Sequence, residues 1–324
     1  MNDAGRDLKA GVIGTGSLGT NHTRLYCSSG RIGPVYVYDI SQDRAAEVAG
    51  RFGAEVCSDM DDLLSKVDIV SVCTPATDHF GTVMKAFRAG VHVLVEKPVA
   101  STSAEGEGMV EEARRLGLNL QVGHIERFNG TFRALDGLLD GPMFIESHRL
   151  GTFTPRGIDV SVVVDLMIHD IDIVLTLLGS DRLIDLRASG AGVLTGSPDI
   201  VNARLEFESG CVANLTASRI SREPMRKMRF FQPNMYISAD FRAKEVEAFS
   251  RADDVSLETL ALDPTAFIRR VEVDVDRSEP LMCEIESFID SVLEKREPYV
   301  TGKQGLDALK VAEQVLGCLD ERKV

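Results

Sequence analysis

An apolar stretch near the middle of the sequence, VVVDLMIHDID at residues 162–172, contains side chains that could do acid–base chemistry. At about 100° per residue, Asp165, His169 and Asp172 fall within an arc of roughly 60° on a predicted helix. A histidine has an ordinary pKa of about 6.5, so at neutral pH it is largely uncharged and can accept a proton. The same face could be a narrow solvated stripe on a structural helix, with Asp172 making a structural hydrogen bond. The elements around this helix decide between the two interpretations.

A glycine-rich turn near the start of the sequence could hold a phosphate. The segment KAGVIGTGSLG is typical of a strand, then Gly14-x-Gly16-x-x-Gly19, then a helix whose N-terminal N–H groups attract anions. A second apolar strand ends at Asp39, where a carboxylate can accept hydrogen bonds from ribose hydroxyls and would repel a 2′-phosphate. These features predict a dinucleotide site that takes NAD rather than NADP, although Arg44 nearby leaves NADP open.

Short apolar strands alternate with predicted helices at 78–89 and 103–116 through the first 123 residues. This alternation predicts a doubly wound parallel sheet, in which ligands bind beyond the carboxyl ends of the strands. Thr74-Pro75 and Glu96-Lys97-Pro98 lie where two of these strands stop. The predicted cofactor-binding residues are Gly14, Gly16, Ser17, Leu18, Gly19, Asp39, Thr74, Pro75, His79, Glu96 and Lys97.

The second part of the sequence is rich in longer strand candidates. LEFESGCVANL alternates apolar and polar residues on both sides of Ser209-Gly210, which predicts a hairpin. We therefore predict an α/β protein with an NAD-binding Rossmann domain at 1–123 and an α+β domain at 124–324 for substrate binding and oligomerisation. The second domain should have a large, mostly antiparallel open sheet, and two C-terminal helices, separated near Pro298 and Gly302, could pack back on the first domain. An uncovered sheet face needs a partner, which predicts a homodimer or homotetramer.

Composition narrows the class of protein. The 324 residues are 44% hydrophobic and carry a net charge of −14, which disfavours nucleic acid and anionic membranes as partners. Neither a long apolar run nor a secretory signal is apparent, and the six cysteines stand singly, so we expect a cytoplasmic protein with reduced thiols. The spacing of the six histidines predicts no metal site.

The motifs GVIGTGSLG, CTPATDHF and VLVEKPVA, followed by the D-x-x-x-H of Asp165 and His169, resemble one dehydrogenase family along nearly the whole chain. It is the family of glucose-fructose oxidoreductase, inositol dehydrogenase and MocA-like enzymes. The resemblance implies that Lys97 and His169 meet at the nicotinamide as catalytic residues and that Asp165 contacts the substrate or steadies the histidine. Either Lys97 or His169 could accept the proton.

VGHIERFN at 122–129 and the segment 149–172 also resemble the branch of this family that oxidises nucleotide sugars. That resemblance implies oxidation of the 3-hydroxyl of a UDP-N-acetylhexosamine, as in lipopolysaccharide precursor synthesis. A basic run between residues 219 and 229 could hold the diphosphate of the nucleotide sugar, or it could be a solvated run of charges. Arg127 could bind the substrate, or it could stabilise the junction between the domains. The predicted substrate-binding residues are Arg127, Arg156, Asp165, His169, Arg219 and Arg222. The alternatives are an inositol or free-sugar dehydrogenase, and a non-catalytic NAD-binding sensor.

Overall fold

The computed structural model describes residues 8–154, 160–252 and 265–320. The chain forms two compact units. The first consists of the chain up to Ile125 together with Leu281–Leu309, and the second consists of Glu126–Pro280 with the residues from Lys310 onward. The division differs from a simple cut after residue 123 because the segment Leu281–Leu309 belongs to the first unit.

The first unit contains a six-stranded parallel sheet, whose strand order is β3-β2-β1-β4-β5-β6. The central strands are mostly apolar and are buried on both faces, as expected for a parallel sheet between helices. The strands are β1 (Leu8–Ile13), β2 (Ile32–Tyr38), β3 (Glu55–Val56), β4 (Ile69–Val72), β5 (His92–Glu96) and β6 (Leu120–Gly123).

Five helices connect these strands: α1 (Ser17–Ser28), α2 (Gln42–Phe52), α3 (Met60–Leu64), α4 (Ala76–Arg88) and α5 (Ser103–Leu116). Helix α5 begins and ends at the predicted residues because its end signals are local. The Thr102 side chain accepts a hydrogen bond from the Glu105 N–H at the start, and Gly117 adopts φ +66° after the last turn. Helix α4 begins at Ala76, two residues earlier than predicted, directly after Pro75.

The second unit contains an eight-stranded sheet of order β14-β13-β12-β11-β7-β10-β9-β8. Strands β7 and β10 pair in parallel, and the other described pairs are antiparallel. This confirms the predicted fold class, including the hairpin, where Gly210 adopts φ +89° between β9 and β10. The strands are β7 (Phe144–Leu150), β8 (Leu183–Ala191), β9 (Ile200–Phe207), β10 (Val212–Ser218), β11 (Met225–Gln232), β12 (Met235–Asp240), β13 (Glu245–Arg251) and β14 (Ile268–Val271).

One face of this sheet is covered. In β7, the buried residues Ile145, Ser147 and Arg149 alternate with partly exposed ones. Helix α6 (Gly130–Arg133) and helix α7 (Ile168–Leu178) belong to this unit, and α7 packs against β10. A turn of π-helix, Val163–Met167, leads directly into α7.

The last two helices are α8 (Pro280–Leu293) and α9 (Gly302–Asp320). Helix α8 completes the core of the first unit, where Ile285 and Phe288 pack with Ala10 and Val12 of β1. In the part of α9 that belongs to the first unit, Gly305 allows close packing, because a Cβ there would lie 2.6 Å from a methyl group of Val122. Among the described residues, no helix is both long and apolar enough to cross a bilayer.

Candidate active site

The glycine-rich turn between β1 and α1 is built for a phosphate. Gly14 adopts φ +88°, and a Cβ there would lie 2.8 Å from the main-chain oxygen of Cys73. A Cβ on Gly19 would overlap the main-chain oxygen of Gly14, so the strand and helix can be this close only with glycine. Gly16 differs from both, because a Cβ there would meet no heavy atom within 4 Å, and no side chain of the described residues caps α1 there. The open space at a helix N-terminus fits a dinucleotide pyrophosphate.

Asp39 lies directly after β2 and is 5% exposed. Its carboxylate accepts hydrogen bonds from the Thr15 N–H at 2.7 Å, the Thr15 hydroxyl at 3.0 Å and the Ser41 N–H at 2.8 Å. Burial acts to raise the pKa of Asp39, but these hydrogen bonds outweigh it and the pKa falls below its ordinary value. The group is therefore an anion where ribose hydroxyls are expected. Arg44 lies 3.9 Å from the same carboxylate, so a cation is also present that could meet a 2′-phosphate.

The loops after β4 and β5 carry the other predicted cofactor residues of this unit. The Thr74 hydroxyl is buried and has no hydrogen-bond partner among the described residues. His79 is 1% exposed, and its Nδ1 and Nε2 atoms lie 2.9 Å from the main-chain oxygens of Pro98 and Thr74. Both ring nitrogens thus face protein groups, so the geometry favours support of the two loops over direct contact between His79 and the cofactor.

A buried chain of hydrogen bonds holds Glu96, the residue before Lys97. His22 Nε2 lies 3.1 Å from Glu96 Oε1, His22 Nδ1 lies 2.9 Å from Ser71 Oγ, and the Tyr26 hydroxyl lies 2.8 Å from the same Ser71 oxygen. The second oxygen of Glu96 accepts a hydrogen bond from the Lys97 N–H at 3.3 Å. Ser71, His22 and Glu96 have the composition of a hydrolytic triad, but Ser71 and His22 are fully buried. These hydrogen bonds therefore act as an anchor that holds Glu96, and with it the start of the loop after β5 that carries Lys97.

Cys73 lies beside this anchor, and its sulfur and the ligand atoms of His22 and Glu96 all lie within 4.8 Å of one another. Such a group could hold a metal ion, which the sequence did not predict. Both nitrogens of His22 already have protein partners, however, and burial and the charge of Glu96 raise the pKa of the Cys73 thiol well above its usual value. These observations favour the hydrogen-bonded anchor over a metal site.

Glu284 of α8 was not singled out from the sequence, because it looks like one polar residue of an amphipathic helix. It is fully buried, and its two carboxyl oxygens have no hydrogen-bond partner among the described residues. Burial, and then the charge of Glu96, raise its pKa well above the ordinary value. Burial therefore favours the neutral form of the Glu284 carboxyl group.

In the second unit, Asp165 and His169 lie on either side of a change in helix type. Asp165 belongs to the π-helical turn, and His169 belongs to the first turn of α7. A π-turn is wider than an α-turn and shifts the side-chain register, and such turns are frequent at functional sites. Both residues are half-buried.

Asp170, next to His169, is a residue whose role sequence reasoning missed. It is 2% exposed, and its Oδ1 accepts hydrogen bonds from Arg149 Nε at 3.0 Å and Nη2 at 2.7 Å. Arg149 Nη1 also donates to Glu126 Oε1 at 2.9 Å. The three residues are far apart in the sequence, so no local spacing could have indicated this buried ion network.

Arg127, in the short turn Ile125–Phe128, forms a second buried pair with Asp172 of α7. Arg127 Nη1 lies 3.5 Å from Asp172 Oδ1, and the same nitrogen donates to the Thr176 hydroxyl. Both charged residues are nearly inaccessible to solvent. Asp172 thus makes the structural contact expected of it, and the burial of Arg127 favours a structural pin over a substrate contact.

The basic run at 219–229 does not form one patch. Arg229 is paired with Glu146 at 2.7 Å, and Lys227 lies 3.7 Å from Asp240. Arg219 donates to the main-chain oxygen of Val160 and is half-buried. Arg222 is exposed, whereas Arg156 lies outside the described residues.

Comparison with known proteins places this fold in a family. Residues 8–124 match the family described as "Oxidoreductase family, NAD-binding Rossmann fold", and residues 110–237 match the "GFO/IDH/MocA C-terminal domain". The UDP-N-acetylglucosamine 3-dehydrogenase of Acidithiobacillus ferrooxidans is 35% identical over 95% of this chain and 96% of its own length. A crystal structure of a protein of that name and organism has a TM-score of 0.88 and covers 97% of this chain and 98% of the other.

The inositol 2-dehydrogenase of Pseudomonas savastanoi pv. phaseolicola is 34% identical over 54% of this chain and 55% of its own length. These matches confirm the resemblance seen in the sequence motifs and the assignment of NAD as the cofactor. The chain belongs to the GFO/IDH/MocA family of NAD-binding oxidoreductases.

Proposed function

We propose that the protein is an NAD-dependent dehydrogenase that oxidises the 3-hydroxyl of a UDP-N-acetylhexosamine to a 3-keto sugar. The choice of substrate rests on how much of the chain is similar to each relative, and at what identity. The relative named UDP-N-acetylglucosamine 3-dehydrogenase is 35% identical over 95% of the chain, whereas the inositol 2-dehydrogenase reaches 34% over 54%. A myo-inositol 2-dehydrogenase also matches 98% of the chain, but at 24% identity. The higher identity across both units favours the UDP-sugar, because substrate specificity depends on residues beyond the dinucleotide-binding fold.

We assign the proton chemistry to Lys97, His169 and Asp165. When NAD is bound, the cofactor supplies the acceptor for the hydride removed from the sugar carbon. His169 accepts the hydroxyl proton as a general base, and the Lys97 ammonium group stabilises the developing alkoxide. Asp165 orients the imidazole or holds a neighbouring hydroxyl. Lys97 is the alternative proton acceptor.

The residue assignment is tested by Lys97→Ala and His169→Ala. Each should lower kcat at least about a hundredfold, the usual effect of a lost acid–base group, while calorimetry shows NAD binding retained. Lys85→Ala is a control for the lysine, because Lys85 lies on α4 in a surface pair with Asp61. Near-normal turnover in either test variant would remove that residue from the mechanism.

The substrate is tested by following NADH absorbance with a panel of UDP-sugars, inositols and free hexoses. We expect signal with a UDP-N-acetylhexosamine, and competition by UDP, because an enzyme whose substrate carries UDP should also bind the nucleotide alone. Signal with inositol and no competition by UDP would instead support the inositol dehydrogenase alternative, which the 34% identity to such an enzyme favours.

We also propose that the open sheet face forms a homodimer or homotetramer. Phe144, Phe231 and Tyr236 form an aromatic row on neighbouring strands, with ring centroids 5.8 and 5.2 Å apart, and Phe231 is 37% exposed. Aromatic side chains exposed in a row are typical of interfaces. Light scattering at micromolar concentration should give a multiple of the 35.3 kDa chain mass, and a monomeric mass would contradict the proposal.

A further inference from the structure

We propose that His79 is a positioning residue that ties the loop after β4 to the loop after β5, and that the tie is complete only when its imidazole is protonated. The proposal rests on the proposed function in one respect, because these two loops carry Thr74 and Lys97. His79 itself lies in the first turns of α4, within the first unit.

The geometry of His79 defines the tie. Its Nδ1 atom lies 2.9 Å from the main-chain oxygen of Pro98, in the loop after β5. Its Nε2 atom lies 2.9 Å from the main-chain oxygen of Thr74, in the loop after β4. The side chain is 1% exposed, so bulk water does not compete for either position.

Both partners of His79 are carbonyl oxygens, which can only accept hydrogen bonds. A neutral imidazole has one N–H, so it can satisfy one carbonyl while its other nitrogen presents a lone pair to the second. Two such acceptors at 2.9 Å repel each other. An imidazolium has two N–H groups and satisfies both carbonyls at once, and the observed geometry is the one that this form requires.

Charge and burial set the pH at which the tie completes. Burial opposes the imidazolium and lowers the pKa of His79, whereas the main-chain oxygens of Pro98 and Thr74, the charge of Glu96 and the main chain of Val99 favour it; the net pKa lies below the ordinary value. Among the described residues, Glu96 at the end of β5 is the group whose charge acts on His79. In most molecules at neutral pH, His79 therefore donates a hydrogen bond to only one of the two loops. At acidic pH the protonated side chain donates to both.

The two loops lie at the carboxyl ends of adjacent strands, where ligands of such sheets bind. The Thr74 hydroxyl there is buried without a hydrogen-bond partner among the described residues. Fixing both loops before the ligand arrives removes part of the ordering that binding would otherwise require, which should strengthen binding of NAD.

The test is calorimetric titration of NAD⁺ between about pH 5 and about pH 8, a range that reaches well below the ordinary histidine pKa of about 6.5 because the pKa of His79 is lowered. The wild-type protein should bind NAD⁺ more tightly as the pH falls, by several-fold in total and by at most tenfold per pH unit, since one proton is linked. His79→Gln should be flat over this range, because its neutral amide donates to one carbonyl at every pH. His92→Gln is the matched control: His92 is a half-buried histidine at the opposite end of β5 and should leave the wild-type pH dependence intact.

A second measurement needs neither a variant nor substrate. Nitrogen-15 shifts of His79 in the labelled protein should show both ring nitrogens protonated at the acidic end, and amides of the two loops should become more protected from exchange. The proposal is overturned if His79→Gln keeps the wild-type pH dependence, or if His79 holds one proton throughout. Should the protein fail to oxidise any sugar, the proposed substrate fails while these signals still decide the role of His79.

Discussion

Replacing Arg149 with methionine should destabilise the second unit by about 3–5 kcal/mol, the usual effect of removing one partner from a buried ion pair. Arg149 is 4% exposed and lies between Glu126 and Asp170, which are similarly buried. Burial opposes its charge, but Asp170 and Glu126 raise the pKa of the guanidinium above its ordinary value. Methionine fills much of the same volume, so most of the loss should come from the carboxylates. Asp170 would lose the cation that it pairs with among the described residues, and Glu126 would keep only the exposed Arg226 at 3.6 Å.

The contacts of Arg149 set the magnitude. Its guanidinium donates two hydrogen bonds to Asp170, at 3.0 and 2.7 Å, and one to Glu126 at 2.9 Å. At about 1.5–3 kcal/mol for each bond to a charged group, the sum of about 4.5–9 kcal/mol is an upper bound, because side chains relax and water enters after the change. The lower range of about 3–5 kcal/mol is therefore the expected value.

Urea unfolding followed by circular dichroism measures this loss. Arg182→Met is the matched control, since Arg182 pairs with Glu208 at 3.0 Å in the same unit but both side chains are more than 60% exposed, at 68% and 62%. A pair of this kind should contribute less than about 1 kcal/mol. If the free energy of unfolding of Arg149→Met lies within about 1 kcal/mol of the wild-type value, the view that the buried charges of this unit stabilise one another is refuted.

Three further predictions concern single residues. Gly16→Ala should fold normally, because no atom lies within 4 Å of the added Cβ, yet bind NAD at least about tenfold more weakly by calorimetry. Asp39→Ala should reduce the preference for NAD over NADP in kcat/KM. Because the pKa of Asp39 is lowered in the folded state, the contribution of this carboxylate to the free energy of unfolding is present above about pH 4 and is lost as the pH falls. Asp199 is buried and accepts three main-chain N–H bonds and the Thr195 hydroxyl, so Asp199→Ala should lower the free energy of unfolding by about 2–3 kcal/mol in urea at neutral pH.

The parts of the fold that could be predicted from the sequence are those specified by local signals. Helix α5 runs over the predicted residues, 103–116, because a threonine cap and a glycine mark its ends. The hairpin at Ser209-Gly210 followed from alternating side chains around a glycine that must adopt a positive φ. The glycine-rich turn and Asp39 were likewise recognisable, since chemistry and local geometry demand particular residue types there.

The features that were missed depend on contacts between distant parts of the chain. Strands β13 and β14 were not predicted, because β14 has only four residues and is stabilised by pairing with β13. The ion network of Arg149, Asp170 and Glu126 joins three segments with no common spacing. The π-turn before α7 is another such case, because an ideal helical wheel assumes one constant angle per residue.

The ion pairs made by Asp170 and Asp172 of α7 also explain how this apolar helix can hold the His169 side chain in one fixed direction. With His169 taken as the origin and about 100° per residue, Asp170 lies about 100° to one side and Asp172 about 60° to the other. Arg149 holds the first carboxylate and Arg127 the second. Turning the helix by a single residue would move both carboxylates out of reach of their arginines, whereas isoleucine and valine surfaces alone adapt to several rotations with little loss. We therefore infer that the buried charges set the rotation of α7, and through it the direction in which the His169 side chain leaves the helix.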